Sequence, residues 1–172
     1  MKLELVLAGL MQAYADGPQP FTNRRTADHP TSSAIYGMIE RAMGIKKIDG
    51  VRDDTFKAPN GKVYHIEEDV YIHQDEILDE TLDYAKQCQI LTDDQIVGSL
   101  TNTETFICAD GTKKETLARI KKEYLVNSKY RVTIEGDDEL IQYVKEYLQH
   151  PIYPIYLGRY CCIPSEPIIQ ES

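Results

Sequence analysis

One stretch of this sequence has the residue types and spacing to hold phosphate. It runs from Phe21 to Ile45, FTNRRTADHPTSSAIYGMIERAMGI. Arg24 and Arg25 supply planar guanidinium forks that match phosphate oxygens. Pro30 keeps His29 out of the helical region, so a helix is expected to begin at Thr31 or Ser32. There the hydroxyls of Thr31, Ser32 and Ser33 are placed to cap free backbone N–H groups. A helix start of this kind gathers unsatisfied N–H groups and the positive end of the helix dipole at one point, and the upstream arginines converge on the same point. Arg41 lies on the polar side of the same helix and is a further candidate. The same residues also describe an ordinary capped helix beside a solvated basic loop. No other chemistry is written so locally. The four histidines form no HExxH pattern, the four cysteines show no CxxC spacing, and the neighbours Cys161 and Cys162 do not suit one tetrahedral metal. Neither a metal nor a cofactor is expected, and the thiols read as reduced and structural.

The net charge of −9 argues against a polyanion until its distribution is examined. Residues 67–110 hold twelve Asp or Glu and one Lys, a net of −11, so the rest of the chain carries +2. From Lys113 to Arg131 seven basic residues face two acids. Within that run Lys113, Lys114 and Arg119 are candidates for contacting a phosphate backbone, although a solvated face is the ordinary meaning of such a run.

The elements that must position these residues follow from hydrophobic period. Leu3, Leu5 and Leu7 alternate with Lys2, Glu4 and Val6 as a strand with one buried face. Residues 9–30 form a long loop punctuated by Gly17-Pro18 and Gln19-Pro20. Ala34, Ile35, Met38, Ile39, Ala42 and Met43 fall on one helical face, and Gly44 is a natural stop. Asp49-Gly50 and Asn60-Gly61 are turn signals, and Lys62 to His73 reads as a strand. Asp75 to Cys88 suits a short acidic helix with Ile77, Leu78 and Leu82 on its apolar stripe. Ile90 to Ile107 is compatible with a hairpin turning through Asp94 or closing at Asp110-Gly111. Lys113 to Asn127 is ambiguous between helix and strand. Tyr130, Val132 and Ile134 alternate as a strand, Asp137 and Asp138 cap a helix carrying Leu140, Ile141, Val144, Tyr147 and Leu148, and Pro151 ends it. Ile152 to Tyr156 is expected to return as an edge strand, since Pro154 forbids a central position. The order of strand, helix, strand, insertion, strand, helix, strand is an α+β, ferredoxin-like plan. With 172 residues, 42% of them apolar and 27% charged, one compact domain is expected, with an insertion at about 67–112. No apolar run reaches the length of a membrane span, and Glu4 interrupts any signal-like start, so a cytoplasmic protein is expected.

Three blocks in order resemble the CRISPR-associated RAMP subunit CasD, the fifth Cas family, of type I-E surveillance complexes. The first is Leu7-Ala8-Gly9, Arg25-Thr26 and Pro30-Thr31-Ser32-Ser33 leading to Gly44-Ile45. The second is Glu115-Thr116-Leu117 through Lys122-Glu123-Tyr124-Leu125. The third, Tyr156-Leu157-Gly158-Arg159-Tyr160-Cys161-Cys162-Ile163-Pro164, is similar to a Y-L-G-R-x-x-C motif of that family. The resemblance implies an RRM-like or RAMP domain with a projecting thumb hairpin in the middle interval. It implies a non-catalytic subunit that holds the 5′ handle of the guide RNA, caps one end of the backbone filament and contacts the large subunit. On that reading Arg24, Arg25, Thr26 and Thr31 to Ser33 grip handle phosphates. Tyr156, Gly158 and Arg159 form the second contact, with Gly158 admitting the RNA backbone and Arg159 acting as a phosphate fork or as a bond within its own turn. Members of the family usually continue beyond the point where this chain stops, at Gln170-Glu171-Ser172.

Two other functions fit parts of the sequence. Relatives in type I-C systems cleave the guide precursor without metal, and such chemistry needs a positioned His, Tyr or Lys. His29 with Lys113 or Lys114 is the nearest approach to that set. Alternatively, the acidic 67–110 segment marks a protein-interaction module or decoy subunit that docks on a basic partner.

Overall fold

The computed structural model describes residues 1–15, 17–18, 23–45, 47–48, 51–52, 54–80, 89–92, 104–107, 113–116, 121–159 and 161–170. Its centre is an antiparallel pair. Strand β1, Lys2–Gln12, runs against the sixteen-residue strand that we label β12, Lys121–Gly136, in a register from Lys2 opposite Glu135 to Gln12 opposite Leu125. Leu5, Leu7, Tyr130, Val132 and Ile134 are buried beneath this pair, as the alternation requires.

Helix α1, Ser32–Ala42, packs its Ile35, Met38, Ile39 and Ala42 face into that core and stops at Gly44, whose φ of 77° is open to glycine at little cost. Thr31 is the N-cap, but its side chain makes no capping bond, contrary to the expected hydroxyl cap. Its Oγ1 lies 3.4 Å from Ser33 Oγ instead. Helix α3, Asp138–Gln149, buries Leu140, Ile141, Val144 and Leu148, and the Asp137 carboxylate caps it by accepting the Glu139 N–H. Among the described residues no helix is long and apolar enough to cross a membrane.

Between the helices the chain makes small pieces. Strands β2 (Asn23–Arg24), β3 (Lys47–Ile48), β4 (Val51–Arg52), β5 (Thr55–Lys57) and β6 (Val63–His65) come first, then the single turn α2 (Ile66–Asp69) and β7 (Val70–Ile72). A 3-10 turn (Gln74–Glu76), β8 (Leu78–Asp79), β9 (Gln89–Thr92), β10 (Glu104–Ile107) and β11 (Lys113–Thr116) follow among the described residues. The expected strand 62–73 is therefore split in two. Asp69 accepts the His65 N–H at 2.7 Å, and the acids Glu67, Glu68 and Asp69 favour the start of a helical turn there.

The acidic helix expected from Asp75 is not formed over 75–80. Leu78 and Asp79 pair instead with Arg131 and Tyr130, because the free edge of so long a central strand takes short partners in succession: β7, β8 and β9. Ile77 packs on the core, Leu78 is 56% exposed, and residues 81–88, with Leu82, lie outside the described residues. The ambiguous run from Lys113 is extended where it is described. Strand β11 pairs with β10, Ile107 opposite Lys113, as a hairpin closing at Asp110-Gly111 requires, and a turn through Asp94 lies outside the described residues. The residues of that closure are outside the described ones.

No strand forms at 152–156. Pro151 and Pro154 lack N–H groups, and the segment binds α1 instead: the Ile152 N–H donates to the Ala42 carbonyl at 2.9 Å. The tail takes the place beside β1. Val6 N–H donates to Ile168 O at 2.8 Å and Ser165 N–H to Ala8 O at 2.9 Å, with Pro164 and Pro167 breaking any regular ladder. This tail, β1, β12 and β7 stand side by side in the order of the ferredoxin-like plan, an α+β fold. The sheet face away from the helices is closed by ion pairs. Arg131 binds Glu80 at 2.6 Å and Glu4 at 3.6 Å, and Lys129 binds Glu166 at 2.9 Å and Glu80 at 3.8 Å. These two members of the basic run are thus neutralised rather than presented to a phosphate backbone.

The tail is a structural element on this account. Ile168→Ala is expected to remove about 2–4 kcal/mol of stability in chemical denaturation, with faster hydrogen exchange at the Val6 amide. Unchanged protection at Val6 would mean that the tail contributes no bond to the sheet.

Candidate nucleic-acid interface

The β1–β12 ladder ends at Gln12 and Leu125, and beyond it the two strands part. A cavity of about 600 Å³ opens there, lined by Ala13, Tyr14, Arg24, Arg25, Thr31, Ser33, Gly37, Arg41, Tyr156, Gly158 and Arg159 among others. Arg24 and Arg25 arrive on the loop that forms β2, which pairs in parallel with the start of β12, Arg24 beside Lys122. Thr31, Ser33 and Arg41 come from α1. Tyr156, Gly158 and Arg159 come from the loop after α3. Both phosphate-competent motifs therefore meet in one depression, although they lie at opposite ends of the chain.

Gly158 explains how the second loop enters. Its φ is 93°, and a Cβ there would sit 1.6 Å from the Ala13 carbonyl oxygen. The close approach that demands glycine is therefore to the protein's own backbone at the end of β1, a role the sequence reading assigned to RNA. The Ala13 N–H donates to Leu157 O at 3.1 Å, and Leu157 N–H to Cys162 O at 2.8 Å, which fixes the loop as a tight turn.

Arg159 reaches across that junction. It donates to the carbonyls of Glu123 at 3.2 Å and Arg24 at 3.3 Å, and its guanidinium lies 4.8 Å from the Tyr124 ring centroid. Its bonds join β2, β12 and its own loop, so it is more than a bond within its turn. Arg41 behaves alike: Nε donates to Pro154 O at 2.7 Å, and the guanidinium lies 5.0 Å from the Tyr156 ring and 5.9 Å from Tyr153.

Thr26 is placed differently from the expectation. It is buried, its hydroxyl accepts from the Tyr14 N–H and donates to Ala27 O, each at 2.9 Å, and its own N–H donates to Glu123 Oε2 at 3.2 Å. Its hydroxyl is used inside the protein, where it ties the basic loop to the end of β1. Ser32 turns away from the cavity, its Oγ accepting from Gln74 Nε2. Lys113 and Lys114 lie on β11, where the backbone alone is described, and Arg119 lies outside the described residues. His29 is exposed, 2.5 Å from Asp28 Oδ1, and does not line the cavity.

Sequence reasoning missed Tyr14, which lines the cavity, and the buried Gln12 to which it is bonded. Gln12 Nε2 donates to Leu7 O at 2.9 Å and Ser128 O at 2.7 Å, and the Tyr14 hydroxyl donates to Gln12 Oε1. Burial pushes the Tyr14 hydroxyl well above the usual phenol range, with the nearby Tyr130 and Cys162 adding to the effect, so it stays a neutral donor. Cys162 is likewise held neutral, its thiol pushed up to about 12 chiefly by burial. A polar Gln as the last residue of an apolar strand was the available signal. Among the described residues no group of three or more His, Cys, Asp or Glu is placed to hold a metal ion.

The family described as CRISPR-associated protein (Cas_Cas5) matches residues 3–172. The chain belongs to this Cas5 family. Its fold is similar to that of two solved structures. One, titled "CRISPR RNA-guided surveillance complex", has a TM-score of 0.58 at 19% identity, over 98% of this chain and 62% of the other. The second, "Crystal structure of Cas protein", has a TM-score of 0.58 at 17% identity, over 100% of this chain and 64% of the other. The Cas5 chain described here thus spans somewhat less than two thirds of the length of those it matches. A search of curated proteins gave no match.

Two outcomes test this junction. Gly158→Ala is expected to cost at least about 2 kcal/mol, from left-handed backbone strain and from the displaced Ala13 carbonyl; an unchanged melting temperature would show that the loop does not press on β1. Arg159→Lys loses the fork that joins two carbonyls, at about 1–2 kcal/mol, read as a fall in Tm of about 3 °C in calorimetry. Full thermal stability of that variant would leave Arg159 free of structural duty.

Proposed function

We propose that this protein is a guide-RNA-binding subunit of a type I CRISPR surveillance complex, with the cavity at the end of the β1–β12 ladder holding phosphates of the 5′ handle. One observation carries the reading. Within a chain of net charge −9, the described lining of this cavity brings together Arg24, Arg25, Arg41 and Arg159 and includes no Asp or Glu. Guanidinium groups gathered in one concave site suit an anionic ligand, and a nucleic-acid backbone is a polyanion that such forks recognise. Thr31 and Ser33 at the start of α1 add hydroxyl donors, and Tyr156 adds an aromatic face against which a base or ribose can pack. Family membership and the solved surveillance-complex relative support the setting: other subunits of the complex, the backbone and large subunits among them, are the proposed protein partners.

The role is that of a scaffold. A bound handle is gripped and shielded, and the site's arginines, having no accessible conjugate base at neutral pH, serve as donors rather than proton carriers. His29, the residue best suited to acid–base work, stands outside the cavity and beside Asp28.

The experiment uses the purified full chain and a labelled single-stranded RNA of the repeat's 5′ part. Arg25→Ala is expected to weaken retention and to flatten the plot of log affinity against log salt by about 0.7, the value of one contact to a single strand, with thermal melting unchanged. RNA recovered intact with and without chelator completes the expected result. Specific metal-independent cleavage, or retention insensitive to both salt and Arg25→Ala, would overturn the reading.

A further inference from the structure

We infer that Cys161 and Cys162 form an oxidisable dithiol, a modification site for hydroperoxides whose disulfide form loosens the turn that carries Arg159. The consequence for RNA rests on the reading of the cavity as an RNA site; the dithiol itself does not. In a strand, neighbouring side chains point to opposite sides. In the turn after Gly158 they do not: Cys161 Sγ and Cys162 Sγ lie 3.9 Å apart, and both thiols are free. Cys161 is exposed and open to a small oxidant, whereas Cys162 is buried. Burial keeps Cys162 protonated, which leaves Cys161 as the thiol that reacts first.

The Cys161 sulfur attacks one oxygen of the hydroperoxide, the O–O bond breaks, the other oxygen leaves as an alcohol or water, and Cys161 becomes a sulfenic acid. The Cys162 sulfur then displaces the hydroxyl from Cys161, and its proton leaves with that hydroxyl as water. Two thiols are oxidised and one peroxide is reduced. The product joins adjacent residues, whose Cα atoms the intervening trans peptide holds about 3.8 Å apart, closer than the ~4.4 Å at which ordinary disulfides begin. The new bond therefore distorts the backbone around it, and strained disulfides of this kind are readily reduced.

That backbone closes the turn. Cys162 N–H donates to Arg159 O at 2.8 Å, and Cys162 O accepts from Leu157 N–H at 2.8 Å. Cys161 Sγ also donates to the Tyr124 hydroxyl at 3.8 Å, and the Tyr124 ring centroid lies 4.8 Å from the Arg159 guanidinium. Drawing Cys161 Sγ onto Cys162 removes the contact with Tyr124 and distorts both turn bonds, which hold Arg159 at the cavity wall. Oxidation thus weakens the grip on RNA, and reduction restores it.

The test treats the full chain with hydrogen peroxide, blocks the remaining thiols with iodoacetamide and digests with trypsin. Cleavage after Arg159 releases residues 160–172, which contain these two cysteines and no others. That peptide is expected unalkylated and about 2 Da lighter than its reduced form. Binding of the labelled single-stranded RNA by the oxidised chain is expected to weaken about tenfold, the loss of one bond to a charged group. Dithiothreitol is expected to restore it, and Cys161→Ser to keep parental affinity after peroxide. A peptide alkylated at both positions, or one carrying only a sulfinic acid on Cys161, overturns the dithiol. A disulfide-bearing chain with parental RNA affinity overturns its link to the cavity. If the untreated chain retains no RNA, the cavity reading fails, while the mass of the peptide still decides the dithiol.

Discussion

The register of β1 against β12 is the constraint on which everything else hangs. Ten paired positions carry the two strands from Lys2 opposite Glu135 to Gln12 opposite Leu125, and a slip of one residue would turn Leu5, Leu7, Val132 and Ile134 out of the core. The register also decides where the ladder stops. At that point Gln12 closes the pair from within, bonded to carbonyls on both strands, and Ala13 and Tyr14 leave β1 while Lys122 to Tyr124 have not yet joined it. The cavity exists because the strands part there, and three chain segments are bonded into the opening.

The same side-chain types have two fates on this fold. On the open sheet face, Arg131 and Lys129 are held by Glu4, Glu80 and Glu166, so each charge is cancelled where it stands. In the cavity, Arg41 and Arg159 are held by the carbonyls of Pro154, Glu123 and Arg24 and by the rings of Tyr153, Tyr156 and Tyr124. Carbonyl oxygens and aromatic faces orient a guanidinium but leave its full charge in place. Positive potential in an acidic chain is thus a matter of which groups do the holding. That distinction is invisible in a count of Lys and Arg along the sequence.

What could be read from sequence was what a local period or a local cap determines. The faces of α1 and α3, the Asp137 cap, the stop at Gly44 and the strand at Tyr130 to Ile134 follow from spacing alone. Arg24-Arg25 ahead of a helix start was legible as a short pattern with a physical meaning, whereas Gly158-Arg159 entered only through the resemblance; the structure places both at one cavity. The failures are non-local. Leu78 and Asp79 had helical neighbours in sequence, but the unsatisfied edge of β12 was the stronger demand. Ile152 to Tyr156 alternated well enough for a strand, yet two prolines and the exposed end of α1 drew it elsewhere, and the tail took its place beside Val6. Thr26 resembled a phosphate ligand by its neighbours, and it turned inward because the end of β1 left the Tyr14 N–H in need of an acceptor. Gly158 was identified as a point of close approach, but what it approaches could be known only once Ala13 had been placed.

Assembly of the cavity from distant segments links its occupancy to the fold. Arg24 and Arg159 are 135 positions apart, and their side chains line one space only when β1, β2, α1, β12 and the last loop are all in place. An unfolded chain offers the same arginines without their convergence, so an anion that bridges them binds the folded state in preference. Such a ligand stabilises the fold by RT ln(1 + [L]/Kd), about 2.7 kcal/mol at a hundredfold excess over its dissociation constant. Salt weakens such binding, because it screens the attraction between guanidinium and anion. The clamp formed by Arg159, Thr26 and Glu123 is then what preserves the site between binding events. Each of its bonds pairs one charged group with a neutral backbone group, guanidinium with carbonyl or carboxylate with amide, and such bonds are less sensitive to ionic strength than ion pairs are.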